Sequence, residues 1–343
     1  TLRIPSWPCN PPPRAGGARG GDGGVGQRAP GGGRGPRAGS GPPPPGGAAA
    51  RPRPARAAAA LREAHGLGED AVATEIIRTT GDATQDRPLS EIGGKGLFTL
   101  ELEEQLLSGA LDFAVHSSKD MATRLPEGLE ITAYLPREDV RDAFVGRAAS
   151  KLMDLPEGAM VGTASLRRQA LVRKLRPDLK VKIFRGLVDT RLRKLAEGDA
   201  DATLLAFAGL KRLGKPDVAT ELLDPEIFPP APAQGAICIE ARQDNKAVRD
   251  LLSAINDPAT FATVTCERAF LDVLDGSCRT PIAGYTTLKG ARLRFSGMVL
   301  TPDGQTYHAT IAEGSTTDAA EIGRRAGHDI RQKAGPSFFE NWS

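Results

Sequence analysis

Three consecutive segments in the middle of the chain share one plan, and that plan restricts the fold more than any other feature. Residues 159–178 (AMVGTASLRRQALVRKLRPD), 180–198 (KVKIFRGLVDTRLRKLAEG) and 200–214 (ADATLLAFAGLKRLG) each begin with a short apolar run, turn at polar residues and continue charged. The first two read as strand, corner and helix, the third as a buried strand running into a turn with Lys211 and Arg212; such a succession is the signature of an α/β sheet, with strands ending along a common edge. Arginine sits just beyond each run: Arg167 and Arg168, then Arg185 and Arg191, then Arg212. Ser165 is suited to cap the first helix. Cations in a first helical turn oppose the helix dipole, so Arg167 and Arg168 cost stability unless an anion lies over them. If the strands run parallel, the five guanidiniums converge on one edge and call for a small polyanion with carboxylates or phosphates. Scattered surface arginine in a basic protein is the competing reading.

An earlier stretch, LDFAVHSSKDM at 111–121, reads as a strand with one face buried that stops at polar groups. Lys119 and Asp120 stand past its carboxyl end, where open α/β sheets place ligands. A solvated turn is the alternative at this point. Upstream, Gly93, Gly94 and Gly96 surround Lys95, and helical spacing runs from Leu97 to Leu107. That loop either presents Lys95 to an anion or leaves it in water.

The remaining segments fix the division of the chain. Charged PREDVRD and proline-rich PEIFPPAPAQGA are two crossings, so a first domain covers 57–136 with 236–255 and a second covers 137–235. A C-terminal unit, 256–343, has a long helix, three strands and a final helix. Residues 1–56 are Gly, Pro, Ala and Arg with few large apolar side chains, a composition that predicts disorder. The net charge of +3 is too small to argue for nucleic acid or a membrane surface. A nucleic-acid reading rests on the basic tail alone. Cys9, Cys238, Cys266 and Cys278 show no metal-ligand spacing, and free thiols in a reducing cytoplasm are expected. Cys238 and Cys266 fall in apolar patterns and read as core, whereas Cys278 lies in a Gly-Ser-Cys-Arg-Thr-Pro turn.

Taken in order, GGKGLFTLELE, HSSKDM, VGTASLRRQA, FRGLVDTRLRKL, LAFAGLKRLG, APAQGA and DGSCRTPIAGY resemble the porphobilinogen deaminase (hydroxymethylbilane synthase) family over roughly residues 57–335. The resemblance implies two periplasmic-binding-protein-like (type II) α/β domains with the site between them, plus a smaller C-terminal α/β domain. It implies a monomeric cytoplasmic transferase that adds four porphobilinogen units head to tail, loses ammonia at each step, and releases hydroxymethylbilane with water. The primer is a dipyrromethane cofactor held on Cys278 by a thioether. Asp120 matches the catalytic aspartate. By the same resemblance Lys119, Asp120, Ser165, Arg167, Arg168, Arg185 and Gly186 hold the cofactor. Lys95, Phe98, Arg191, Arg212 and Gln234 meet substrate. No metal, nucleic acid or membrane partner is implied.

Two departures stand out. Family members follow their first strand with T-R-x-S-x-L-A, whose Arg and Ser contact the cofactor. Here Leu2-Arg3-Ile4 gives way to unrelated Gly/Pro/Arg sequence, as a frameshifted 5′ coding region would produce. The expectation is a chain without that strand and with impaired activity. Leu187 replaces a small polar residue. The reading from another class is a non-catalytic two-lobed anion-binding protein, which leaves Asp120 and Cys278 without roles.

Overall fold

A computed structural model of the chain describes residues 2–3, 53–75, 77, 99–276 and 280–340. Among them are three β-sheets, each with its own apolar cluster. The first sheet contains β1 (Leu2–Arg3), β2 (Ala73–Thr74), β3 (Phe113–Ser117), β4 (Leu129–Tyr134) and, returning late in the chain, β10 (Ile237–Arg242). Its order is β2-β1-β3-β10-β4. The missing first strand therefore needs correction: Leu2 and Arg3 form a two-residue strand wedged between β2 and β3. Most of the segment expected to be disordered lies outside the described residues. Its end does not, because helix α1 (Arg53–His65) begins ahead of the expected Ala57.

One face of this sheet buries Phe113, Val115, Ile237 and Ile239 under Ala57, Ala58 and Leu61 of α1 and under α6 (Lys246–Ser253). The other carries Ala114 and Leu129 against α2 (Leu100–Leu107). β3 is thus covered on both faces rather than the one its alternation predicted. A run of small and branched apolar residues suits a doubly covered strand equally well.

The second sheet has the order β7-β6-β8-β5-β9, from β5 (Asp142–Gly146), β6 (Met160–Gly162), β7 (Lys180–Lys182), β8 (Ala202–Ala206) and β9 (Glu221–Leu222). β6 runs parallel to β7 and β8, so the ends carrying the arginines do share an edge. β5 runs antiparallel to β8 with Asp142 opposite Ala206, which sets the first residue of β5 at that same edge. Helix α3 (Leu166–Leu175) follows β6, α4 (Val188–Ala196) follows β7, and α5 (Phe207–Arg212) follows β8. The last was read as a turn; Lys211 and Arg212 in fact end a short helix.

The third unit packs α7 (Pro258–Val273) and α8 (Ala319–Ala334) on an antiparallel meander of β11 (Ile282–Lys289), β12 (Arg292–Leu300) and β13 (Tyr307–Ser315). A short helix, α9 (Pro336–Glu340), closes the described chain. The units are fastened at Glu267 of α7, which is fully buried. Its two oxygens accept from Arg137 Nη1 and Nη2 at 2.7 and 2.9 Å, from Ala233 N at 2.5 Å and from Thr286 N at 2.8 Å. Arg137 and Ala233 belong to the two crossings, Thr286 to β11. Ala233 has φ 62°, a left-handed value that alanine rarely adopts, and the bond to Glu267 helps hold it there.

Candidate functional site

The site lies where the polar edges of the first two sheets meet. β3 and β4 end at that edge, and antiparallel β10 begins there, with Ile237 opposite Ser117. A 3-10 turn, Ser118–Asp120, carries the polar residues beyond β3. His116 turns inward and lies 3.0 Å from Glu240, both buried. Asp120 is exposed, while Lys119 is half-buried with its amine enclosed. Lys119 Nζ donates to Gln234 Oε1 at 3.1 Å. Burial pushes the Lys119 amine down to about 8; Arg168 and Arg167 push the same way, against Asp120 and Asp142. Lys119, Asp120 and the arginine edge are thus one electrostatic group.

Across the cleft, Ser165 caps α3 as expected, accepting from Arg168 N at 3.4 Å. The anion over Arg167 and Arg168 is a finding that the sequence did not disclose. It belongs to the protein. Asp142, fully buried, accepts from Arg167 Nη2 at 2.7 Å, and from Arg168 Nη2 at 2.6 Å and Nε at 3.2 Å. Burial alone would raise the Asp142 pKa, but the two guanidiniums and their hydrogen bonds hold it far below the ordinary carboxylate range. Arg167 Nη1 goes to Pro229 O and Arg168 Nη1 to Leu204 O. Asp142 is the anion this pair requires, and it and two carbonyl oxygens take up most of the pair's hydrogen-bonding capacity.

Gln234 is also fully buried, and its amide Nε2 donates to Val140 O and Asp142 Oδ1, both at 2.9 Å. It links Lys119 of one sheet to Asp142 of the other. The spacing Gln234-Gly235 is required here. Gly235 has φ 86°, and a Cβ on it would stand 2.4 Å from Glu138 O.

Cationic capacity remains elsewhere. Arg185 Nη1, Arg212 Nε and Arg167 Nε are buried without hydrogen-bond partners among the described residues. Arg191 donates to Gly186 O at 2.8 Å, and burial, then Arg168 and Arg185, bring its pKa down to about 10. Arg168, Arg185 and Arg191 are thereby close enough for their charges to repel. Gly186, at φ 117°, lets the chain turn between Arg185 and α4. Arg212 donates to Gly235 O at 2.6 Å. Leu187, 72% exposed, occupies the N-cap of α4 and caps nothing. Cys238 and Cys266 are buried thiols that burial pushes up to about 12, as core residues should be. Lys95, Phe98 and Cys278 lie outside the described residues; the last falls between Gly276, just past α7, and Thr280, just before β11.

A carboxylate, an amine of lowered pKa and a row of repelling guanidiniums make a cleft suited to a small ligand with several carboxylates. The family model described as "Porphobilinogen deaminase, dipyromethane cofactor binding domain" matches residues 50–250, and that of the "Porphobilinogen deaminase, C-terminal domain" matches 261–332. The porphobilinogen deaminase of Nitrobacter winogradskyi is 55% identical over 279 residues, covering 81% of this chain and 88% of its own length. Among solved structures, the methionine-binding protein MetQ superposes with a TM-score of 0.36 at 14% identity, over 61% of this chain and 86% of its own. A nutrient-binding protein from Burkholderia cenocepacia gives 0.35 at 15%, over 60% and 86%.

Proposed function

The chain belongs to the porphobilinogen deaminase family, and from that membership we propose which of its residues perform the family's reaction. The reaction condenses four porphobilinogen units head to tail with loss of ammonia, then releases hydroxymethylbilane with water. The chain is accordingly a transferase of tetrapyrrole biosynthesis, built as two periplasmic-binding-protein-like domains with a C-terminal domain.

The family's dipyrromethane cofactor is a polyanion, and its fit can be judged from this cleft. The buried, partnerless nitrogens of Arg185, Arg212 and Arg167 are donors that water does not reach, and they suit carboxylates. When bound, the cofactor supplies the pyrrole carbon to which the first unit is joined. Cys278 would hold it, with Lys119, Arg168, Arg185 and the Gly186 turn around its acidic side chains, and Ser165 fixing the helix that carries Arg168.

Asp120 is the group we assign to chemistry. Its exposed carboxylate is held beside Lys119 at the lip of the cleft. When porphobilinogen loses ammonia its methylene carbon becomes cationic, and a fixed carboxylate stabilises that charge. The same carboxylate takes up the proton released on condensation. Lys119 and the arginines orient the substrate's acetate and propionate groups, with Arg191 and Arg212 serving the incoming unit. Gln234 acts through Lys119, whose amine it holds, rather than by meeting the ligand. The observation that carries this assignment is the single electrostatic group joining Lys119, Asp120, Asp142, Arg167 and Arg168 across the cleft.

No helix among the described residues is long and apolar enough to cross a membrane. Two buried free thiols suit a reducing compartment, and we place the enzyme in the cytoplasm as a monomer. The deciding experiment weighs the intact purified chain beside a Cys278→Ala control. A mass excess of two linked pyrroles, absent from the control, is expected. An unmodified mass that persists after incubation with porphobilinogen would overturn the cofactor assignment. Rate comparison with a chain given a family-type N-terminus then measures how far the altered start slows the enzyme.

A further inference from the structure

We propose that Arg56, on helix α1, is an additional carboxylate-binding residue of the cleft, taking the acidic side chains of the growing pyrrole chain together with Arg212. The inference rests on the assignment of Arg212 to substrate. Helix α1 is anchored by Ala57, Ala58 and Leu61, each at most 1% exposed, against Val115 and its neighbours on the first sheet. Arg56 directly precedes that anchor, and its charge reaches residues of the other lobe.

Two observations locate it there. The charge of Arg56 bears on both Arg212 and Glu138, residues of α5 and of the first crossing. Its Nη1 is buried with no hydrogen-bond partner among the described residues, and so is Arg212 Nε. Glu138 does not satisfy either one. Its Oε1 accepts from Lys211 Nζ at 2.5 Å and from Asp139 N at 3.0 Å. Arg62, on the same helix, differs in place: its Nη2 ties α1 to Val72 O at 3.1 Å within its own lobe, and although its Nε is also buried without a partner, its charge is not among those that act on Arg212. Two guanidiniums of like charge, each with an enclosed donor left over, are unfavourable until an anion comes between them. Burial, Arg56 and Arg53 together already bring Arg212 down to about 10. A carboxylate placed between Arg56 and Arg212 satisfies both donors and removes the repulsion. A ligand that gains acetate and propionate groups with every unit added offers that carboxylate.

The test uses the loaded, full-length enzyme and the variants Arg56→Gln, Arg56→Lys and Arg212→Gln. Losing one charge-assisted bond of this kind raises the KM for porphobilinogen about tenfold in Arg56→Gln. kcat should change by less than about twofold. Arg56→Lys should recover part of the loss. The resting Arg56→Gln enzyme should melt at the parent temperature or above it, because a repulsive, partnerless group has been removed. A purely structural arginine predicts the reverse, a lower melting temperature with the parent KM, and that result overturns the proposal. A parent KM in Arg56→Gln beside a raised KM in Arg212→Gln also overturns it. If neither variant changes KM, the assignment of Arg212 falls first. Should Arg56→Gln fail to accumulate, Arg56→Lys decides: the point charge cannot reproduce the guanidinium fork, so a severalfold rise in KM supports the proposal and an unchanged KM refutes it.

Discussion

Replacing Asp142 by Asn tests the internal counter-ion beneath the cleft. The substitution keeps the shape and removes the charge. Arg167 and Arg168 would then be left buried, and Nδ2 of the new amide would point a donor at a guanidinium that is itself a donor. Removing one partner of a buried ion pair costs about 3–5 kcal/mol, and here one carboxylate serves two arginines and Gln234. A loss of about 4 kcal/mol is a fair figure. With a urea slope of about 3 kcal/mol/M, the midpoint drops by about 1.3 M. Far-ultraviolet circular dichroism is the suitable probe, since Trp7 and Trp342 lie outside the described elements. The pH dependence adds a second check. Asp142 has a depressed pKa when folded, so its contribution is complete above the unfolded value of about 3.9 and disappears as pH falls through the lower folded value. The gap between parent and variant should therefore be full at pH 5 and close progressively below about pH 4. A loss under about 1 kcal/mol, or a gap that stays constant in acid, would refute the idea that this carboxylate neutralises the arginine pair.

Leu187→Asn should give α4 the cap it lacks, adding about 1 kcal/mol and raising the melting temperature by about 2–4 °C in calorimetry; no gain would show that the helix start is satisfied otherwise. Lys119 is charged below about pH 8 and neutral above, so KM for porphobilinogen should rise as pH increases through 8. Lys119→Arg should move that rise to much higher pH, and an unchanged profile would exclude Lys119 as its source. Asp120→Asn should leave stability nearly unchanged, because the side chain is exposed, while kcat falls by about a hundredfold or more in steady-state assays. A variant with near-parent kcat would remove Asp120 from the chemistry.

Much of the fold was legible because its signals are local. Ser165 before Leu166 announces a capped helix, and runs such as Thr203–Leu204–Leu205 announce strands. The arginine edge was legible in part, since arginines soon follow the ends of β6 and β7, whereas Arg212 stands at the far end of the helix after β8. What stayed hidden depends on pairing between distant strands. Nothing in DAFVG says that β5 lies antiparallel to β8, yet that register alone brings Asp142 to the arginines. The sequence calls for an anion over that pair but does not say that a carboxylate of the protein itself supplies one. Gln234 was named through the family resemblance, but its partners Lys119, Val140 and Asp142 were hidden for the same reason, because they are set by the crossing that folds over it. Leu2-Arg3-Ile4 resembles the start of the family's first strand, but so short a run has no periodicity from which to expect the two-residue β1. Its place is fixed only by β2 and β3 on either side.

Glu267 ties both crossings to the third sheet through one carboxylate, and this limits how the chain can be taken apart. A graft that swapped the C-terminal unit for a relative's would have to bring a matching acid at that point. Otherwise the Arg137 guanidinium and the Ala233 amide, both in the stretches joining the lobes, would lose their acceptor together. Truncation before α7 would do the same to a protein whose cleft residues were all still present. The unit whose sequence contains Cys278 is therefore no interchangeable module. It is the keystone under which the joints of the other two are set.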